Sequence, residues 1–235
     1  MAHDPEGHVK PTGKRRGLPV SIAVLRCIAS VYLFVFKRFR VLDASHIPDS
    51  GALILVANHT TAFDPVCLQV ASKHRLIRFM QARELYNARP LHYLFKWLNV
   101  IPVNRTGHDT ASIRAALRTL LDGGCLGIYP EGKISEDGNL HEGHKGVALL
   151  ALLSNATVVP AYLHGARPFC GMIRNFLQFD RVTLYFGPPI RFDDLAGRHR
   201  DQEALDMALQ RIMHAIQELH DRSAPASVPS FFPHK

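Results

Sequence analysis

Two rhythms of apolar residues alternate along the chain. Short runs rich in β-branched and aliphatic residues span 52–57, 76–81, 100–103, 125–129, 157–163 and 182–186, each bounded by turn residues. Between them lie stretches with helical spacing at 65–72, 85–98, 110–121, 146–153 and 201–221, the second bent near Pro90. In 110–121, Ile113, Ala116, Leu117, Leu120 and Leu121 mark one face, Asp109 stands at the N-cap and Gly123-Gly124 closes the helix. Strand runs alternating with helices predict an α/β layer fold, a central mixed sheet flanked by helices.

One segment breaks the rhythm. Residues 18–36 are apolar nearly all round, with Arg26 as their single charge. Basic residues stand on both sides, and residues 1–40 carry eight Lys and Arg against Asp4 and Glu6, most of the chain's net charge of +8. A signal peptide would be followed by small residues, and Lys37-Arg38-Phe39-Arg40 follows instead. A spanning helix would bury Arg26 at a cost of roughly 2.5–3.5 kcal/mol. The reading that fits best is a membrane-associating helix lying in one leaflet, its Lys and Arg flanks on anionic headgroups; the alternative is a helix packed on the domain. The chain thus divides into a mobile basic tail at 1–17, a membrane-associating segment at 18–40, one domain at 41–222 and a flexible tail at 223–235.

Composition narrows the classes. Four cysteines, at 27, 67, 125 and 170, form no C-x-x-C pair, so neither a zinc site nor a disulfide framework is expected and a reducing compartment suits the chain. Fourteen histidines include no metal-binding spacing, and no metal is expected. The basic residues flank an apolar helix rather than interleaving with aromatics, so nucleic acid is not an expected partner. Together these place the protein at the cytoplasmic face of the cell membrane.

The polar signals sit where the apolar runs stop. Asn58-His59-Thr60-Thr61-Ala62-Phe63-Asp64-Pro65 follows the first run. A histidine can take a proton from an alcohol near neutral pH, and an adjacent carboxylate holds its tautomer and stabilises the cation. On one continuous helix a five-residue step leaves two side chains roughly 140° apart, so His59 and Asp64 meet only if the chain turns between them. Asp64-Pro65 reads as a helix start, Asp at the N-cap and Pro at the first helical position. That places the pair at the carboxyl edge of the sheet, where open α/β sheets gather ligands. Taken alone, the pair would be a cap and a loop histidine. Further along come Ile101-Pro102-Val103-Asn104-Arg105, Tyr129-Pro130-Glu131-Gly132 and Val159-Pro160.

These four blocks, in this order, resemble the glycerolipid acyltransferase family, which includes 1-acyl-glycerol-3-phosphate acyltransferases. The resemblance covers roughly residues 50–190. It implies transfer of a fatty acyl group from coenzyme A or acyl carrier protein, as donor substrate and without a resident cofactor, to a lysophospholipid hydroxyl. His59 is then the expected base, Asp64 its orienter, and Asn58, Arg105, Glu131, Gly132 and Lys133 the substrate-binding set. Arg105 suits a phosphate by a charge-assisted fork. Gly132 allows close backbone approach, its N–H facing phosphate or oxyanion. Glu131, itself an anion, suits an acceptor hydroxyl or a backbone donor. One position departs: the family commonly continues Thr-Arg-Ser after the glycine, and here stands Lys133-Ile134-Ser135. Lys133 either replaces the missing Arg as a point charge, or the acceptor differs in polarity.

Overall fold

The computed structural model describes residues 20–89, 91–104, 109–167 and 172–223. In chain order the elements are α1 (Val20–Lys37), β1 (Arg40–Leu42), β2 (Leu53–Ala57), α2 (Asp64–Ala71), β3 (Ile77–Ala82), α3 (Arg83–Tyr86), α4 (Leu91–Trp97), β4 (Ile101–Val103), α5 (Thr110–Leu121), β5 (Cys125–Ile128), α6 (Gly146–Ser154), β6 (Thr157–His164), α7 (Met172–Leu177), β7 (Thr183–Phe186) and α8 (Gln202–Ser223). The expected helix at 85–98 is two helices, α3 and α4. The short edge strand β1 and α7 carry too few residues for a periodic signal and went unread. The tails expected at 1–17 and beyond residue 223 lie outside the described residues, but Ser223 itself closes α8, its hydroxyl donating to the His220 carbonyl.

Seven strands form one sheet in the order β1-β7-β6-β2-β5-β3-β4. Strands β6, β2, β5, β3 and β4 run parallel, β7 runs against β6, and β1 runs with β7. The sheet is therefore mixed, as the alternation predicted. β2 is buried along its whole length, the expected state of a central parallel strand covered on both faces. Its alternation sorts side chains between two cores. Ile54 and Val56 join residues of α5, α6 and α8 on one face; Leu53, Leu55 and Ala57 join Leu33 of α1 and Cys67, Leu68 and Ala71 of α2 on the other.

α1 lies on α2, and only Ile22, Leu33 and Lys37 along it are buried. Val20, Val24, Ile28, Val31, Phe34 and Val35 stay exposed, Phe34 to 75%. Arg26, which a spanning helix would have to carry into lipid, turns to the carboxyl end of α2 and donates to the carbonyls of Lys73, at 2.5 Å, and Val70, at 3.4 Å. A cation there meets unpaired carbonyls and the negative end of the helix dipole. Lys37 belongs to the basic flank expected on the headgroups, and the structure corrects this. It is fully buried, its Nζ 2.9 Å from Asp180 and 2.7 Å from the Gln178 carbonyl, and it sits 4.4 Å above the Phe63 ring. α1 is thus pinned at both ends of α2.

Candidate active site

β2 delivers Asn58 and His59 to the carboxyl edge of the sheet, and α2 begins at Asp64. The expected cap is shifted by one residue. Phe63 is the N-cap and Asp64 the first helical residue, with Pro65 second. The reason is what Asp64 does. Its Oδ2 accepts the backbone N–H of Thr60 and of Thr61, each at 2.8 Å, and the His59 Nδ1 at 2.9 Å, while Oδ1 accepts the Thr61 hydroxyl. The carboxylate points back over the turn at 60–63, and that turn closes the five-residue gap to the imidazole. Asp64 is fully buried and the His59 side chain 16% exposed, so the ring carries the dyad's only opening to solvent. With Nδ1 committed to a carboxylate, Nε2 is the nitrogen available to a substrate; it makes no hydrogen bond among the described residues.

The imidazole also has a floor. The Tyr129 ring stacks on it with centroids 3.9 Å apart and planes 12° from parallel, and Phe79 stacks behind Tyr129 at 6.3 Å and 11°. This column exists because residue 127 of β5 is glycine. A Cβ there would lie 2.3 Å from Phe79 Cε1, so any side chain would push the ring away. The Tyr129 hydroxyl is buried with no partner among the described residues, and burial, with the nearby Asp64, pushes its phenol well above its ordinary range. What Tyr129 presents to His59 is the face of its ring. Its block was read in the sequence, but its contact with His59 was not, since stacking between residues 70 apart leaves no local pattern.

The loop after β5 is built around Glu131. The expectation offered two partners for this side chain, and backbone donors contact both of its oxygens. Oε1 accepts the His59 N–H at 3.2 Å and Oε2 the His141 N–H at 3.1 Å. Burial raises its pKa, while the two N–H bonds and the adjacent histidines pull the other way. A second tie runs from the Ser135 N–H to the His59 carbonyl at 2.7 Å. His59 is thus fixed by ring, N–H and carbonyl alike.

Asn58 and Gly132, both expected on substrate, make contacts inside the fold. Asn58 is buried; its amide donates to the Leu163 carbonyl at 3.2 Å and accepts the Leu163 N–H at 2.8 Å, joining the end of β2 to β6. Gly132 has a φ of +69°, which favours glycine, but its N–H donates to the Tyr129 carbonyl at 3.0 Å and so closes a turn. Lys133 is exposed and Ile134 half-buried at the rim. Val159-Pro160 lies in β6, Pro160 in register with Val56 of β2. Arg105 lies outside the described residues. No group of three metal-ligating side chains occurs among the described residues.

A buried carboxylate, a fixed imidazole and an aromatic floor thus stand together at the carboxyl edge of the mixed sheet. A family model described as Acyltransferase matches residues 38–164, more than half the chain, and the chain belongs to that family of O-acyltransferases. Among curated relatives, the 1-acyl-sn-glycerol-3-phosphate acyltransferase of Bacillus subtilis is 24% identical over 78% of this chain and 88% of its own. The enzyme of the same name from Streptococcus pneumoniae is 27% identical over 72% of this chain and 61% of its own. The human 1-acyl-sn-glycerol-3-phosphate acyltransferase beta is 26% identical over 67% of this chain and 57% of its own. The crystal structure of the 1-acyl-sn-glycerophosphate (LPA) acyltransferase PlsC from Thermotoga maritima superposes with a TM-score of 0.65 at 19% identity, covering 85% of this chain and 79% of that one, a likeness of fold.

Proposed function

We propose that the protein transfers a fatty acyl group from an acyl thioester, of coenzyme A or acyl carrier protein, to the free hydroxyl of 1-acyl-sn-glycerol-3-phosphate, working at a membrane surface on the cytoplasmic side. The observation that carries the mechanism is the His59–Asp64 pair, with Nδ1 held at 2.9 Å and Nε2 left open. The names of the relatives support the acceptor.

His59 Nε2 takes the proton of the acceptor hydroxyl as its oxygen attacks the thioester carbonyl. The resulting imidazolium lies against the Asp64 carboxylate, which stabilises it. The tetrahedral intermediate collapses, the carbon–sulfur bond breaks, and the imidazolium returns its proton to the leaving thiolate. The proton count balances and no covalent acyl-enzyme is needed. Asn58, Glu131 and Gly132 serve this chemistry by holding the loop that carries His59, while Arg105 and Lys133 supply positive charge for the acceptor phosphate. α1 docks flat on anionic lipid, its exposed stripe inward.

The half-buried Ile134 favours a second reading, the same transfer to an acceptor of different polarity such as a lyso-aminolipid or glycerol-3-phosphate. The test is purified protein with labelled acyl-coenzyme A or acyl carrier protein and a panel of acceptors, with His59→Ala and Ile134→Arg beside it. Lysophosphatidate as preferred acceptor supports the first reading. A preference for a lyso-aminolipid or for glycerol-3-phosphate that Ile134→Arg shifts towards lysophosphatidate supports the second. Vesicle binding with no transfer to any acceptor contradicts both.

A further inference from the structure

Four connections decide which helices share a face of the sheet. From β2 through α2 to β3, and from β3 through α3 and α4 to β4, the chain steps the same way across the strand order; from β4 through α5 to β5, and from β5 through α6 to β6, it steps back. Parallel crossovers are right-handed, so the first two must cross one face and the last two the other. The buried clusters agree, with α1 and α2 on one side and α5, α6 and α8 on the opposite side. α4 therefore lies on the α1–α2 face.

α4 shows what that face is for. Tyr93, Leu94 and Trp97 stand at helical spacing and are 68%, 41% and 44% exposed. They belong to a helix that needs an apolar face only to pack, yet that face is turned outward. Charge is divided in the same way. Residues 20–100, which supply every helix of this face up to α4, carry ten Lys and Arg against four Asp and Glu; residues 109–223, which supply α5, α6 and α8, carry twelve against fourteen. Of the four acids, Asp64 is buried on His59 and Asp43 is paired with Arg222; of the cations, Lys37 is buried on Asp180, Arg75 is buried on backbone carbonyls and Arg78 reaches Thr119 of α5, while Arg38, Arg40, Lys73, Arg83, Arg89 and Lys96 stay exposed. Exposed apolar and aromatic side chains beside an excess of exposed cations match an anionic lipid–water boundary, where Trp and Tyr concentrate.

We infer that the Tyr93–Leu94–Trp97 face of α4 is a second membrane contact, and that with α1 it docks the whole α1–α2–α4 side of the sheet on an anionic leaflet. This rests on the membrane reading of α1. Two contacts fix an orientation that one helix, free to roll, does not. α2, which carries Asp64, then lies between them, so the dyad opens at the lipid boundary where an acceptor resides.

Trp97 is the only tryptophan in the chain, so the intact protein reports on itself. The full-length protein is mixed with vesicles containing anionic phospholipid, and binding by flotation is followed beside Trp emission. The expected result is flotation with a blue shift, and a larger loss of emission to lipids brominated near the headgroup than to lipids brominated near the chain end. Trp97→Ala should weaken vesicle affinity by roughly fivefold, the effect of withdrawing part of one large aromatic side chain from lipid. Flotation with unshifted, unquenched emission overturns the second contact and leaves α1 as the anchor. No flotation overturns both. A blue shift on adding acidic carrier protein, or on concentrating the protein without lipid, would assign the α4 face to a protein partner and overturn the proposal.

Discussion

Replacing Asp64 with Asn isolates the charge of the dyad from its geometry. Oδ2 receives three N–H donors, from Thr60, Thr61 and His59, whereas Oδ1 receives only the Thr61 hydroxyl. An amide at this position must therefore keep its oxygen on the three donors and turn its NH2 to Thr61, whose hydroxyl can rotate to accept. Every bond survives in number and the fold should survive with them. What disappears is the negative charge beside an imidazole that becomes cationic during transfer. An imidazolium–carboxylate contact near 4 Å is worth about 4 kcal/mol at an effective dielectric of 20. The retained neutral bond returns about 1 kcal/mol of that. The net loss of about 3 kcal/mol lowers kcat roughly 10²-fold. Asp64 has no exposed surface to offer a substrate, so KM should stay within about twofold, the pattern of an interaction made only in the transition state. Steady-state transfer assays on Asp64→Asn, with circular dichroism to confirm the fold, check this. A kcat within about threefold of wild type would refute the role assigned to the carboxylate.

Tyr129→Leu removes the floor under His59 and should lower kcat about tenfold with little change in KM, whereas Tyr129→Phe keeps the ring and should retain most activity; equal losses in both would refute the stacking argument. Lys37→Met leaves the buried Asp180 carboxylate with only the exposed Arg167 at 3.4 Å and the Gln178 amide at 3.2 Å, and should destabilise by about 3 kcal/mol in urea titrations, with Lys37→Met/Asp180→Leu closer to wild type. Burial pushes the Cys125 thiol up to about 12. Folding therefore holds this proton more tightly than the unfolded chain does, so its contribution is complete below the free thiol pKa of about 8.5 and is lost as pH rises from there towards the folded value. Its share is about 1.4 kcal/mol per pH unit, and Cys125→Ala should show a shallower fall in stability between pH 9 and 11 by urea titration.

The strands and the long helices were legible because burial enforces period. β2 reads as a continuous apolar run since both its faces are covered, and α5 shows its stripe and its Asp109 cap, whose carboxylate accepts the Ser112 N–H at 3.0 Å. The dyad was legible because its two members are five residues apart with a helix start between them. The contacts that hold it were not. Phe79, Tyr129 and Gly127 reach it across the sheet, and Glu131 spends its oxygens on two backbone N–H groups, one of them 72 residues away. The pairing of the Asn58 amide with Leu163 was not legible either, because a buried amide paired to a strand and an exposed amide are written with the same letter. The charge of Arg26 was visible in the sequence, but that it faces α2 follows only from the packing of α1.

The central claim is that His59 is the base of an acyl transfer to a lysophospholipid hydroxyl. The most direct measurement is single-turnover transfer of a labelled acyl chain from coenzyme A or acyl carrier protein to lysophosphatidate on vesicles, comparing wild type with His59→Ala. The account predicts phosphatidate formation by the wild type and a loss of at least about 10³-fold in the variant, the upper part of what one positioned proton acceptor contributes to a rate. Phosphatidate formed at an undiminished rate by His59→Ala would contradict it.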